Sequence, residues 1–263
     1  MIRALYTAAS GMSAQQANLD TVANNLANSG TAGFRRRRLQ FEDMIYQNLI
    51  TPGSAQSQQT DSAGLQIGLG TRSAATEMSM TQGDFNQTGN PLDMAIQGAG
   101  FFQVSKPDGT IAYTRAGSFH LNNQGTIVTS DGDTVLPAIT IPSNATSITI
   151  SQYGVVTATL PGQTNAAQLG TIQLATFANP GGLESVGSSL FQQTMSSGNP
   201  ITDTPGGTSG MGTLQQGYLE NSNVDVVAEF VQMILAQRAY ESNSKVVHVA
   251  DDMYSQINNL IQQ

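Results

Sequence analysis

Between Ser222 and Ile261 the chain carries no glycine and no proline, although it holds 27 glycines and nine prolines in all. So long a stretch without a breaker predicts one helix, roughly 57 Å long at ~1.5 Å per residue. Ser222 or Asn223 is placed to cap it, and Asp225 falls in its first turn, where the helix dipole favours a carboxylate. Val226, Phe230, Met233, Gln237, Tyr240, Ser244, Val247, Asp251 and Tyr254 follow at alternating three- and four-residue steps, the heptad rhythm of a supercoiled helix. A second seam, through Leu235, Ala239, Val246, Val249, Met253 and Leu260, lies roughly 150° around the helix on a 3.5-residue repeat. One partner helix covers only one of these seams, so the pattern calls for several neighbours. A third stripe, Arg238, Glu241, Lys245, His248 and Asp252, is polar, and Glu241 precedes Lys245 by four in the favourable order. In a tube of such helices this stripe would line a water-filled lumen; on a monomer it is an ordinary solvated face.

The other end has the same rhythm. Ile2, Leu5, Ala9, Met12, Gln16, Leu19, Ala23 and Leu26 predict a helix over residues 2–28, ended by Gly30 or Gly33. Ordering a residue costs ~1–2 kcal/mol of backbone entropy, against ~25 cal/mol per Å² of apolar burial. Neither tail recovers that cost alone. Both are therefore expected to stay loose in the monomer and to order when copies of the chain cover their seams.

Between the tails the texture changes. Phe41, Met44, Ile45 and Leu49 predict a short helix over 41–50, broken at Thr51-Pro52-Gly53, and residues 53–64 read as loop or extended chain. From 68 to 222, short β-branched and aromatic runs alternate with turn signals. Phe101–Val104 and Ile111–Thr114 flank Lys106-Pro107-Asp108-Gly109, a hairpin turn. A second hairpin is expected around Asn122–Gly125, a strand over 169–175, and loop over 195–213. The expected fold is α+β: residues 1–30 with 223–263 form a terminal helical domain, 31–67 link it, and 68–222 form a central all-β domain.

Charged residues make up only 11% of the chain and the net charge is −8, which argues against nucleic-acid binding. No apolar run approaches the ~18 residues of a membrane span, so no membrane insertion is expected, and the first residues do not read as a secretory signal. With two histidines and no cysteine, no zinc site can be drawn by spacing. There is no Gly-x-Ser-x-Gly elbow and no phosphate-binding loop. Gly98-Ala99-Gly100 and Asp131-Gly132-Asp133 read as turns, and Asp251-Asp252 sits on a helix. No catalytic, metal-binding or cofactor-binding residues are expected. Arg35–Arg38 holds four of the ten basic residues; it is either a solvated loop or a contact with acidic groups on a neighbouring subunit.

Three ordered motifs then carry a resemblance. They are Ala23-Asn24-Asn25-Leu26-Ala27-Asn28 with Thr31-Ala32-Gly33-Phe34-Arg35-Arg36; Asn90-Pro91-Leu92-Asp93 running on to Phe101-Phe102; and Leu219-Glu220-Asn221-Ser222-Asn223-Val224-Asp225 with Ala236-Gln237-Arg238-Ala239-Tyr240-Glu241. Together they resemble the bacterial flagellar rod and hook proteins. The length, and the stretch from Tyr46 through Pro52, Gly53 and Leu65 to Leu69, are most similar to the distal rod type. Four consecutive arginines depart from the family pattern.

The resemblance implies a structural subunit that polymerises into a straight, hollow shaft around an export channel. It implies proximal rod proteins, the hook protein, the peptidoglycan and outer-membrane bushing rings and the flagellar type III export apparatus as partners. The setting it implies is the basal body from periplasm to outer membrane, reached without a cleaved signal, with the weakly charged β domain facing outward. Residues 46–66 match the stretch to which the family's rigidity is attributed. Rival readings are a hook-type or proximal-rod protein of the same family, a secreted wall-cutting enzyme, and a monomeric adhesin.

Overall fold

The computed structural model describes residues 2–50, 55–56, 59–60, 64–162 and 166–261. The chain divides into two compact units: a helical unit of Met1–Ala27, Arg37–Met78 and Asp225–Gln263, and a β unit of Asn28–Arg36 and Ser79–Val224.

In the helical unit, α1 spans Ile2–Ala27 and α2 spans Val226–Ile261. Asp225 is the cap of α2: its Oδ1 accepts from the backbone N–H of Val227 at 2.9 Å and of Ala228 at 3.2 Å. Ser222 and Asn223, the expected caps, are engaged elsewhere. Ser222 accepts from the Val224 N–H, and Asn223 bridges Arg36, Ser79 and Thr81 within the β unit.

The two helices pack antiparallel. Asn25 near the end of α1 donates to Glu229 near the start of α2 at 3.2 Å, while Gly11 lies against Asn243, so close that an added Cβ would sit 2.7 Å from its Nδ2. The buried seam is small and polar: Ala8, Ala14, Val22 and Asn25 on one side, Glu229, Ala236 and Ala250 on the other. The contact of α1 with α2 thus runs beside the seams expected to pack between copies. Leu5, Met12, Leu19 and Leu26 are half-buried at the margin, while Ala9, Gln16 and Ala23 are exposed. On α2, Met233, Val247 and Tyr254 lie at the margin, and Val226, Phe230 and Tyr240 are exposed. Small side chains let two backbones approach closely, and the large apolar residues beside them are displaced outward. A hydrophobicity pattern follows the large residues and misses the seam. The two tails pack on each other, as matching seams at both ends of the chain predict.

The rest of this unit is an antiparallel ribbon. Strands β1 (Arg37–Asp43), β2 (Tyr46–Ile50) and β3 (Ala55–Gln56) run out, and β4 (Gln59–Thr60), β5 (Leu65–Gly68) and β6 (Thr71–Met78) return. The pairing runs from Arg37↔Met78 through Tyr46↔Gly68 to Ala55↔Thr60. The helix expected over 41–50 is therefore strand. Its four-residue spacing is too short to separate helix from strand, and the returning arm supplies cross-chain hydrogen bonds that decide for strand. The ribbon is tied at its root by Asn25. That amide accepts from the Arg37 N–H at 2.9 Å and donates to the Arg37 carbonyl at 2.8 Å, as a neighbouring strand would. Residues 71–78 belong to this unit, because their partners are 37–43. Pro52 and Gly53, and the side chains of Ile2 and Leu260, lie outside the described residues.

The β unit is all antiparallel. Strand β7 (Phe85–Gln87) pairs Tyr218–Glu220, and β8 (Met94–Gln97) pairs Thr213–Gln216. Strands β9 (Phe101–Ser105) and β10 (Ile111–Thr114) form the expected hairpin at the centre of a nine-stranded sheet. A three-stranded sheet of Ser147–Ile150, Val155–Thr159 and Ala167–Thr171 accompanies it. The strand expected over 169–175 is two strands, Ala167–Thr171 and Leu174–Thr176, in different sheets. The loop expected over 195–213 contains a strand, Ile201–Asp203. Phe102 and Phe119 meet edge to face at 5.1 Å in a core with Met94, Ile96, Ile127, Ile172 and Leu174.

Candidate assembly surfaces

The small-residue seam leaves most of the large apolar side chains of α2 in water. Val227 is 73% exposed, Leu235 58%, Ile234 55% and Val249 52%; Val231, Val246 and Met253 are also exposed. The second predicted seam therefore has no partner within the described residues of this chain. The ribbon is as bare: Phe41, Met44, Ile45, Tyr46, Leu49, Ile50, Leu65, Ile67 and Leu69 are all exposed. A two-stranded ribbon is marginal in water unless something packs on it. The polar stripe of Arg238, Glu241, Lys245, His248 and Asp252 is exposed along α2. Glu241 takes Arg238, three residues before it, at 2.9 Å, where the spacing had predicted Lys245.

The motif residues mostly wire the chain internally. Asn28 bonds Thr31 through carbonyl and side chain. Gly33, at φ +69°, donates its N–H to the Glu220 carbonyl at 2.8 Å and lies so close to Arg115 and Ala116 that a Cβ would sit 2.5 Å from their backbone. The Phe34 N–H donates to the Thr31 carbonyl. Asn90-Pro91-Leu92-Asp93 forms a turn in which Asn90 donates to buried Asp93 at 3.0 Å and accepts from the Leu92 N–H, while the Pro91 carbonyl accepts from Gln216. Val224 is half-buried, and Asn24, Gln237 and Arg238 are exposed.

The arginine run finds its acidic groups within the chain. Arg38 pairs Glu77 at 3.0 Å on the surface. Arg35 is buried, with Nη2 2.8 Å from Glu220 Oε1 and Nη1 donating to the Thr81 carbonyl. The expectation of a solvated segment or a neighbouring subunit's acids is corrected for Arg35, to which folding brings Glu220; Arg38 stays solvated beside Glu77. Glu220 also accepts from the Gly83 N–H, and its Oε2 stands 3.4 Å from Nε of buried Arg115, whose Nη2 donates to the Gly98 carbonyl. Burial lowers the Arg115 pKa to about 10; Glu220 opposes that shift and Arg35 adds to it. Sequence reasoning missed Arg115, Glu220 and Glu229. The available signal was a charged residue inside an otherwise apolar strand or seam, which only pairing explains.

Among the described residues no His, Asp and Glu cluster is suited to a metal ion, and no helix is long and apolar enough to cross a membrane.

Comparison with known proteins agrees with this geometry. Residues 5–35 match the family model for flagella basal body rod proteins, 95–158 the D1 domain of flagellar hook proteins FlgE/F/G, and 215–260 the C-terminal region of basal body rod FlgEFG proteins. The basal-body rod protein FlgG of Buchnera aphidicola is 47% identical over 99% of this chain and all of its own length. That of Caulobacter vibrioides is 48% identical over 96% of this chain and 97% of its own, and that of Bacillus subtilis 40% over 99% of each. With paired terminal helices, a ribbon after the first helix and a β unit behind the matched middle, the chain belongs to the flagellar basal-body rod protein FlgG family.

Proposed function

We propose that the chain is a structural subunit of the distal flagellar rod, polymerising into a straight, rigid, hollow shaft that transmits motor torque to the hook and encloses the export channel. One observation carries this reading. The chain closes its own helix pair with small residues and leaves bare the large apolar faces of α2 and of the ribbon. Those faces total more than one partner helix can cover, as a tube of many copies requires. Leu5, Met12, Leu19 and Leu26 at the seam margin, with Val226, Phe230, Met233, Tyr240, Val247 and Met253, are the proposed contacts between copies. Arg238, Glu241, Lys245, His248 and Asp252 are the proposed lumen lining.

The rigidity of the shaft is assigned to the ribbon. Tyr46 and Leu65 present apolar side chains from paired strands, and Leu69 presents one from the link between β5 and β6; a ribbon seated across neighbouring copies resists the sliding that bending needs. The proposed neighbours are proximal rod proteins, the hook protein and the bushing rings, in the periplasm and outer membrane. Delivery is by the flagellar export apparatus, and no catalytic role is assigned.

Electron microscopy of purified chain at high concentration tests the reading. Straight hollow rods are expected. Curved, compressible tubes would favour a hook-type subunit, and a persistent monomer would remove the shaft altogether. Deleting 46–66 should yield bent tubes; tubes as straight as wild type would refute the role of the ribbon.

A further inference from the structure

The β unit carries a cleft of about 810 Å³, within the ~300–1,000 Å³ of ligand sites. One wall is the start of β10 and the other is the turn over 194–200; no charged side chain lines it. The turn is pre-formed. Fully buried Ser197 accepts from the Thr194 N–H at 3.0 Å and donates to the Thr194 carbonyl at 2.9 Å, and Thr194 donates to the Gly182 carbonyl at 2.6 Å. Met195 on this turn is wholly exposed, and Ile111 on the strand wall is 45% exposed. Strand pairing is incomplete at that wall. β10 pairs β9 from Ile111 to Thr114, but pairs Leu190–Gln192 only at Tyr113 and Thr114. The Lys106 N–H donates to the Thr110 carbonyl, which turns the Thr110 backbone groups towards β9. Such directions alternate along an antiparallel ladder, so the N–H and C=O of Ile111 point away from β9. They find no partner among the described residues. Tyr113, two residues on, shares the face of Ile111. It is 3% exposed, with its ring edge-on to Phe177 at 4.8 Å, and its hydroxyl opens on the cleft with no partner among the described residues.

We propose that this cleft docks an extended, uncharged peptide segment of a partner protein. The segment adds to the open side of β10 through the Ile111 N–H and C=O. One of its main-chain carbonyls accepts from the Tyr113 hydroxyl, and an apolar side chain rests against Ile111 and Met195, the latter a soft and adaptable contact. An open ladder position calls for a main chain, which an ion or a sugar lacks. The absence of charge selects against acidic and basic segments, which would lose hydration there without gaining an ion pair. The apolar faces left for further copies, on α2 and the ribbon, belong to the helical unit, whereas every residue of this cleft belongs to the β unit. The occupant is accordingly assigned to a partner and not to a second copy.

The test uses the full chain at dilution and the capped peptide acetyl-Thr-Leu-Thr-Leu-Thr-amide, with the Ile111 backbone amide followed by NMR. A saturable shift and slower hydrogen exchange at Ile111 are expected. Met195→Glu, at a wholly exposed position that leaves the fold alone, should weaken binding about tenfold or more. Tyr113→Phe, which removes only the hydroxyl, should weaken it about two- to tenfold. No saturable shift in wild type, a shift that either variant leaves intact, or equal binding of a peptide with glutamate for leucine would overturn the site. Exchange at Ile111 in the assembled chain without peptide decides the occupant. Exchange as fast as in the monomer supports a separate partner, while protection assigns the cleft to a second copy and overturns the proposal. The peptide titration stands whether or not polymer forms, so failure of the site and failure of the shaft reading are told apart.

Discussion

Replacing Leu235 and Val249 by glutamine separates assembly from folding. Fully burying a leucine or valine side chain contributes ~1.5–3 kcal/mol. Leu235 is 58% and Val249 52% exposed, so about half of that, roughly 1 kcal/mol each, is left for a neighbouring copy. Together they contribute about 2 kcal/mol per subunit added, or about 30-fold in critical concentration at 1.4 kcal/mol per tenfold. Desolvating the introduced amides raises the figure further. Both side chains point away from the seam of α1 and α2, so the melting temperature of the unassembled chain should not move beyond the scatter of ordinary surface changes. The assay is pelleting across a concentration series, with thermal unfolding by circular dichroism on the same samples. Ala250→Gln is the converse control. That residue is 5% exposed in the seam, so its replacement should lower the melting temperature of the single chain. A critical concentration within about twofold of wild type for the double variant would refute the claim that this face is an interface.

Other outcomes follow from the same geometry. Glu220→Gln leaves two buried guanidinium groups without their anion and should cost about 3–5 kcal/mol in urea unfolding; Glu77→Gln, whose ion pair is exposed, should cost far less. Equal effects would refute the role of burial. Gly33→Ala puts a Cβ against backbone at 2.5 Å and in a left-handed conformation, so a loss of at least about 2 kcal/mol is expected by thermal unfolding. Hydrogen bonds from Arg38 and Gln40, with the Arg38 charge, hold the Glu77 carboxyl below the ordinary carboxylate range. Its contribution to stability is therefore present above that range and lost as pH falls through the folded value. The difference in melting temperature between wild type and Glu77→Gln should shrink to nothing in acid, and a difference that persists would contradict the sign.

The run of α2 from Val226 to Ile261 and the β texture of the middle were legible because each is local. A run without glycine or proline, or a Pro-Asp-Gly turn between β-branched runs, acts over a few residues and needs no partner to be read. The Lys106–Gly109 hairpin formed where its turn signal stood. A surplus of apolar surface on α2 was legible for the same reason, since two seams roughly 150° apart exceed what one helix covers; that α1 lies instead against Glu229, Ala236 and Ala250 was not. The motif residues were legible as a family signature but not as a structure; nothing local says that Asn25 would stand in for a strand at Arg37.

That two long helices flank a β-rich middle, with more large apolar side chains than one partner helix covers, was written in adjacent residues as periodicity and breakers. Which faces of the helices meet, that 37–50 pairs with 65–78 instead of forming a helix and a linker, and that Arg35 and Arg115 share Glu220 came only with folding. Close packing rewards small residues that a hydrophobic pattern does not count. Strand pairing takes its hydrogen bonds from residues far along the chain, 41 positions away between Arg37 and Met78 and 135 between Phe85 and Glu220. A buried charge, finally, is explained only by the partner that folding brings to it.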